Sequence, residues 1–139
     1  MQIELRSTSE TATVIGDTAR LRIVVDNLIN NAIKYTPRGG VIFVSVVLHS
    51  LETPARVEVS VTDSGNGIPR EFESRVFEKF FRVEHYRSTR EEAPRGAGIG
   101  LYLCKEIVEL HGGHIRSEIP ATGRGARIAF DLPATRMLV

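Results

Sequence analysis

The chain has almost no net charge, a single cysteine and no long apolar run. Eighteen basic against seventeen acidic residues create no overall field that favours nucleic acid or an anionic membrane surface. The lone thiol, Cys104, excludes an internal disulfide and a paired-thiol metal site, and we interpret it as a packing residue. No apolar run reaches the ~20 residues that span a bilayer, and the first ten residues include no hydrophobic signal region. We therefore expect a soluble chain in a reducing compartment, without a nucleic-acid partner or membrane insertion of its own.

What is present is enough for one domain, residues 1–139. A chain of 139 residues with 42% hydrophobic content can bury one real core and is too short for two. The patterning predicts an α+β fold, a two-layer α/β sandwich with one mixed sheet of about five strands against about three helices. Strands are predicted at 2–6, 41–48, 57–62, 114–118 and 126–132, with 12–15 as a further candidate. Helices are predicted from an Asp17 N-cap through 21–37, from Pro69 to about 75, and from 96–100 to a stop at 112–113.

Residues 21–37 combine a core-facing helix with side chains that can bind metal and phosphate. At 100° per residue, the apolar residues of this helix share one face. Asn27, Asn31 and Lys34 form a stripe beside that face. Two amide carbonyls and an ammonium at this margin either line a cleft or form an ordinary solvated flank, and the stripe alone leaves both readings open. The apolar face comprises Leu21, Val24, Val25, Leu28, Ile29 and Ala32.

A carboxylate follows the alternating strand at 57–62. If the alternation continues, Asp63 lies on the core-facing side, where a carboxylate is costly unless a group donates to it. In one reading Asp63 caps its own turn, as aspartate before glycine often does. In the other, a ligand such as the exocyclic amine of adenine donates to it, and Gly65 and Gly67 allow the ligand to approach. The sequence leaves both readings open.

Alternate glycines stand directly before the third predicted helix. The free N–H groups and the dipole at a helix start favour phosphate, and a flexible linker would not explain why Gly96, Gly98 and Gly100 end where helical periodicity begins. A dinucleotide-binding Rossmann unit is excluded, because the third glycine is one place early and no strand precedes it. The preceding segment, 82–95, is polar and aperiodic, which predicts a mobile loop. Its movable cations are Arg82, Arg87, Arg90 and Arg95.

The histidines do not form a site. Residues 49–54 resemble the stretch around a phospho-accepting histidine, but that stretch would have to lie on a long helix, and here it joins two predicted strands. We interpret it as a hairpin loop. The other three histidines lack metal-ligand spacing and are interpreted as loop or surface residues: His85, His111 and His114.

Taken in order, these motifs resemble the ATP-binding catalytic domain of sensor histidine kinases, in the wider group that includes gyrase, Hsp90 and MutL. The likeness covers nearly the whole chain and rests on an N box (27–35), a first glycine box (63–67), an F box (77–82) and a second glycine box (96–101). It implies the Bergerat ATP-binding fold, an ATP lid over about 82–97, and ATP with Mg²⁺ as cofactors. The 139 residues lack a histidine-bearing dimerisation domain. The resemblance therefore implies a piece of a larger two-component kinase that does not phosphorylate itself alone.

At the phosphate end, the resemblance implies that Asn31 holds Mg²⁺ through its amide oxygen and that Asn27 assists near the phosphates. Lys34 and Arg82 would meet phosphate oxygens. ATPases of the wider group carry a water-activating glutamate at the position of Asn27, and an amide is no general base. The site should therefore hydrolyse ATP poorly and pass the γ-phosphate to an external histidine.

At the adenine end, the resemblance implies that Asp63 accepts from adenine and that Tyr35 lines the cleft. The family's last glycine motif usually continues with threonine, whereas here Ala126 follows, so we expect one polar contact to be missing or replaced by water. The remaining expected nucleotide-binding residues belong to the two glycine boxes and their flanks: Gly65, Gly67, Ile68, Arg95, Gly96, Gly98, Gly100 and Leu101.

Two alternatives share this fold. A stand-alone serine kinase of the anti-sigma-factor type has a similar length, but it typically carries glutamate at position 27 and lacks a full F box. A non-catalytic nucleotide-sensing module is the other, because Ala126 could mark a weakened pocket. The leading hypothesis implies two partners, the dimerisation domain of the parent kinase and, indirectly, a response regulator. It also implies a cytoplasmic location, with the parent free to be membrane-anchored.

Overall fold

The computed structural model describes residues 2–7, 12–79, 81 and 100–135. The strands are β1 (Gln2–Ser7), β2 (Val41–His49), β3 (Arg56–Asp63), β4 (His114–Glu118) and β5 (Ala126–Pro133), and the helices are α1 (Thr18–Tyr35) and α2 (Gly100–Leu110). The strands form one sheet in the order β1-β2-β3-β5-β4. β1 runs parallel to β2, and the other neighbouring pairs are antiparallel. This mixed sheet with its helices confirms the predicted α+β sandwich.

The first helix begins and ends at the predicted signals. The carboxylate of Asp17 accepts a hydrogen bond from the backbone N–H of Arg20 at 3.1 Å, which satisfies one of the free donors at a helix start. At the other end, Thr36 donates from its hydroxyl to the carbonyl of Ala32 at 2.6 Å, and Pro37 cannot continue the helix. The helix therefore begins directly after the predicted N-cap, Asp17, and ends at Tyr35, two residues before the end of the predicted 21–37 segment.

The core lies between the two helices and one face of the sheet. Side chains at alternate strand positions meet the predicted apolar face of α1 and one face of α2. Burial of each such aliphatic or aromatic side chain contributes about 1.5–3 kcal/mol. Cys104 is fully buried, and burial raises the pKa of its thiol to about 12, which confirms its packing role. The largest fully buried side chains are Phe130, Leu28, Ile42, Val24, Val108 and Cys104.

Two predicted elements differ from the structure. The short helix expected from Pro69 to about 75 is instead two separate 3₁₀ turns, Arg70–Phe72 and Arg75–Phe77, because each closes only one turn before the chain changes direction. The candidate strand at 12–15 is a single bridge between Val14 and Ala134.

The phenylalanines of the F box are described in part. Phe77 is buried in the core. The ring of Phe81 packs against that of Phe72 with 5.5 Å between their centroids. Phe80 lies outside the described residues.

The outer face of the sheet is not uniformly exposed to solvent. Glu58 and Ser60 are buried there. Arg116 and Arg127, from the two strands beyond β3, donate to the carboxylate of Glu58 at 2.5 and 3.1 Å. Burial opposes ionisation of Glu58, but these bonds outweigh it and hold its pKa at about 2. Long arginine side chains from neighbouring strands therefore cover a position that one strand's pattern marks as exposed.

His111 lies in the turn after α2, in agreement with the prediction of a loop or surface residue, and its ring makes contacts that were not predicted. It follows α2 directly, is half-buried, and contacts both Ile107 and Asp17 through its ring nitrogens. His114, by contrast, has a side chain that is 85% exposed. The third of these histidines, His85, lies outside the described residues.

The hairpin-loop interpretation of residues 49–54 is confirmed. His49 is the last residue of β2, and the following residues turn the chain into the antiparallel β3.

Neither helix in the described part of the chain has the length and apolar character that a membrane span requires.

Candidate functional site

Four parts of the chain meet at one end of the sheet: the last turns of α1, the loop after β3, the turn before β5 and the first residue of α2. The register pairs Asp63 with Ile42 on one side and with Ala126 on the other, so the end of β3 lies in the middle of the sheet. The carboxylate of Asp63 is therefore flanked by backbone from both neighbouring strands.

Asp63 is buried, with 8% of its surface exposed. Its Oδ1 accepts from the backbone N–H of Gly65 at 2.9 Å and from that of Ala126 at 3.3 Å. Burial raises the pKa of this carboxyl, and the two backbone bonds act against that shift. Both of these bonds end on Oδ1, and among the described residues neither Gly65 nor Ala126 donates to Oδ2. The turn-capping reading is therefore correct for one oxygen, and the ligand reading stays a prediction for the other.

The glycines after β3 are required by the protein's own backbone. A Cβ on Gly65 would overlap the carbonyl of Tyr35, and one on Gly67 would come within 2.7 Å of the carbonyl oxygen of Gly125. Close approach of a ligand was the expected reason for these glycines, but in the structure it is the chain itself that approaches them.

Gly125, in the turn before β5, shapes the site but was not among the expected nucleotide-binding residues. Its φ is +88°, in the left-handed region that favours glycine, and a Cβ there would overlap the carbonyl of Asp63. The positive φ lets the turn before β5 close against the end of β3, which brings the N–H of Ala126 to Asp63. The alternation of glycines at 123 and 125 was the available signal.

The polar stripe on α1 leads from this pocket toward α2. Asn27 is half-buried, and its Nδ2 donates to the carbonyl of Ile23 at 2.9 Å. The Oδ1 of Asn27 faces α2, because a Cβ on Gly100 would lie 3.1 Å from it. Asn31 is half-buried on the same flank, while Lys34 is exposed. The contact with α2 favours the cleft reading of the stripe over the solvated flank.

The donor set suits a hard cation that binds oxygen. Within the described part of the chain, no three His, Cys, Asp or Glu residues lie together as a metal site. A divalent ion here would therefore be held by amide, phosphate and water oxygens, and Mg²⁺ is a hard cation that takes oxygen ligands and usually keeps several waters. The half-buried amide of Asn31 fits that requirement.

Some of the expected nucleotide-binding residues border the site, and others lie outside the described residues. Ile68 and Leu101 pack their partly buried side chains against the core, and Tyr35 is 37% exposed at the end of α1. The expected lid, 82–97, lies outside the described residues, and so do four of the predicted contacts: Arg82, Arg95, Gly96 and Gly98.

The family described as "Histidine kinase-, DNA gyrase B-, and HSP90-like ATPase" matches residues 16–136. The chain belongs to this family. The adaptive-response sensory kinase SasA of Crocosphaera subtropica is 42% identical over 123 residues, which are 88% of this chain and 30% of that protein. The chain thus spans about 30% of the length of this curated relative.

Solved structures agree in fold. The mycobacterial sensor histidine kinase MprB is 37% identical with a TM-score of 0.75, and the match covers 97% of this chain and 84% of that one. The catalytic domain of histidine kinase ThkA is 29% identical with a TM-score of 0.77, covering 97% and 81%. Family and fold therefore confirm the resemblance that the four motifs indicated, an ATP-binding domain of the kind found in histidine kinases.

Proposed function

We propose that this domain binds Mg-ATP and presents the γ-phosphate to a histidine on a separate dimerisation domain of the same parent kinase. The observation that carries the proposal is Asp63, a buried carboxylate with one oxygen held by two backbone N–H groups and the other left for a ligand. Residues 1–139 form one domain of that parent, with 82–97 as the lid over the nucleotide.

At the adenine end, Oδ2 of Asp63 accepts from the exocyclic amine of adenine. A guanine would present a carbonyl oxygen there, and two acceptors facing each other in a buried site are costly. The N–H of Ala126 already serves the carboxylate, and this contact does not depend on the side chain at 126. The alanine in the last glycine motif therefore leaves the acceptor in place, which argues against reading the domain as a weakened, merely sensing module.

At the phosphate end, Asn31 offers its amide oxygen to Mg²⁺, and Lys34 offers an ammonium to phosphate oxygens. Mg²⁺, when bound, supplies charge neutralisation on the transferring phosphoryl group. Gly100 opens α2 beside Asn27, where free N–H groups and the helix dipole favour anionic oxygens. We propose, from their places in the family motifs alone, that Arg82 and Arg95 are cations of the lid that contact the phosphates.

The site is suited to transfer rather than hydrolysis. Asn27 occupies the place of the water-activating acid of related ATPases, and its Nδ2 is engaged by the carbonyl of Ile23. An amide cannot take a proton from water, so positioning and charge neutralisation must act on an external nucleophile. The same asparagine argues against the anti-sigma-factor type of serine kinase, which typically carries glutamate there.

Two solved relatives support the proposed ligand and partner. ShkA, 27% identical over 99% of this chain, was solved with AMPPNP. ThkA was solved in complex with the response regulator TrrA. By analogy we propose ATP as the nucleotide, a response regulator as the downstream partner, and the ATP-containing cytoplasm as the compartment.

The test adds γ-labelled ATP and Mg²⁺ to this domain together with histidine-bearing helical hairpins. We expect label on the hairpin's histidine and little release of inorganic phosphate. An Asn27→Glu variant is the matched comparison, since it introduces the carboxylate that related ATPases carry at this position and should raise the release of inorganic phosphate. Rapid release by the unaltered domain without labelling of any hairpin would contradict the proposal.

A further inference from the structure

His111 connects the two helices at the end farthest from the candidate site. Its Nε2 accepts a hydrogen bond from the backbone N–H of Asp17 at 3.0 Å, and its Nδ1 lies 2.7 Å from the carbonyl of Ile107. A carbonyl can only accept, so Nδ1 carries the proton and Nε2 is the acceptor. The ring therefore bridges the last turn of α2 and the N-cap residue of α1 in one defined tautomer.

The segment before α1 is bonded to the residues that follow β5. Thr135 donates its backbone N–H to the carbonyl of Thr13 at 2.7 Å, and Val14 forms a β-bridge with Ala134. These bonds tie the segment to the sheet without using α2. His111 therefore attaches α2 to a point that is fixed independently.

Gly16 brings this segment against the ring. A Cβ at residue 16 would lie 2.7 Å from Cδ2 of His111 and 2.8 Å from a methyl of Leu21. A side chain at this position would displace the ring, so glycine here keeps the N–H of Asp17 within reach of Nε2.

The contacts between α1 and α2 run in antiparallel register from His111 to the candidate site. Asp17 meets His111, the carbonyl of Val24 accepts from the thiol of Cys104 at 3.7 Å, and the third contact joins Asn27 to Gly100. From the first contact to the second, each helix advances seven residues, or about 10.5 Å. From the second to the third, the advances are about 4.5 Å and about 6 Å.

We propose that His111 is a positioning residue that sets the axial register of α2 against α1 and so fixes Gly100 beside Asn27. Apolar helix faces permit small sliding motions. A hydrogen bond at one end of the pair resists such sliding, and the other end of α2 is the part that faces the phosphates. The inference rests on the proposed binding of ATP.

Loss of the hydrogen bond from Asp17 to His111 should weaken ligand contacts only at the phosphate end of the site. Asp63 is held by N–H groups of Gly65 and Ala126, and neither lies on α2. A shift of α2 would therefore weaken contacts with the triphosphate and leave the adenine contact unchanged. The affinity for ATP relative to that for adenosine separates this role from a general structural one.

The experiment compares His111→Gln with His111→Asn in the full chain. Glutamine can place its amide oxygen near the position of Nε2 and accept from Asp17, whereas asparagine is too short and reaches only Ile107. Calorimetry at 25 °C measures ATP and adenosine binding for each protein, with thermal unfolding as a check on stability. His114→Asn is the control, since that exposed histidine lies on β4 away from the helix pair.

We expect the asparagine variant to lose about threefold to tenfold of its preference for ATP over adenosine, the equivalent of one net hydrogen bond. The glutamine variant and the His114→Asn control should retain it. An unchanged preference in His111→Asn, or an equal loss in both His111 variants, would overturn the proposal.

Gly16→Ala provides the second route if His111→Asn does not fold, because its methyl would lie 2.7 Å from Cδ2 of His111 and would displace the ring. The same loss of preference is expected, and an unchanged preference would count against the proposal. A native chain that binds neither adenosine nor ATP would instead refute the proposed function itself.

Discussion

The adenine end of the proposed site and its phosphate end are held by different kinds of contact. At the adenine end, Asp63 is fixed by two backbone N–H groups, and Gly65 and Gly125 allow the chain segments to touch. At the phosphate end, side-chain amides and the placement of α2 determine the geometry. Backbone contacts within a sheet resist change, whereas a helix can shift. In the proposed site, adenine recognition would therefore depend on contacts built into the fold, and phosphate positioning would depend on a helix that can shift.

The largest expected effect comes from adding a side chain at the adenine end, where the turn before β5 touches the end of β3. Gly125→Ala should destabilise the fold by about 3 kcal/mol or more, because a left-handed conformation costs ~1–2 kcal/mol and overpacking adds ~1–3 kcal/mol. Gly123→Ala is the matched control: its φ is also positive at +77°, but a Cβ there meets nothing within 4 Å. Urea unfolding measures both. Equal destabilisation of the two variants would show that the contact with Asp63 is not needed.

At the phosphate end, Asn31→Ala should weaken Mg-ATP binding about 100-fold, the scale of losing a group that supports a metal, with a much smaller loss when Mg²⁺ is absent. Asn30→Ala is the control, because it removes the same amide from an exposed neighbouring position on α1. Calorimetric titrations with Mg²⁺ and with chelator give the comparison. Equal losses in both conditions would contradict a metal role for Asn31.

Acid should destabilise the sheet through Glu58, which lies on its outer face. The pKa of Glu58 is about 2 in the fold against 4.5 ordinarily, so its ion pairs stabilise the fold above pH 4.5 and this contribution is lost as the pH falls toward 2. At about 1.36 kcal/mol per pKa unit, the amount is about 3 kcal/mol. Glu58→Gln should flatten the fall in unfolding free energy across that range. A curve as steep as that of the unaltered chain would contradict the assignment.

The smallest of the four effects concerns adenine selectivity. Asp63→Asn keeps an oxygen for the N–H of Gly65 but removes the second acceptor, so the preference for ATP over GTP should fall about tenfold. Competition binding with the two nucleotides measures this preference. An unchanged preference would count against Asp63 as the adenine acceptor, even if total affinity dropped.

The features that the sequence predicted are those with a local cause. Alternation and helical periodicity indicated the strands and the buried face of α1, because each depends only on neighbours in the chain. The position of Asp63 on the core-facing side followed from the same alternation.

The missed features depend on contacts between distant parts of the chain. The bond between His111 and Asp17 joins residues 94 apart, and the arginine cover of Glu58 comes from two other strands. Gly125 acts through Asp63 on a neighbouring strand. A single sequence shows such residues but does not show which of them meet.

The most direct test of the two-ended site measures adenosine and ATP binding to the unaltered chain, each with and without Mg²⁺. Adenosine should bind equally in both conditions, because the backbone-held Asp63 recognises adenine alone. ATP should bind more tightly than adenosine, and only ATP should gain affinity from Mg²⁺. No ATP binding in either condition would contradict the account.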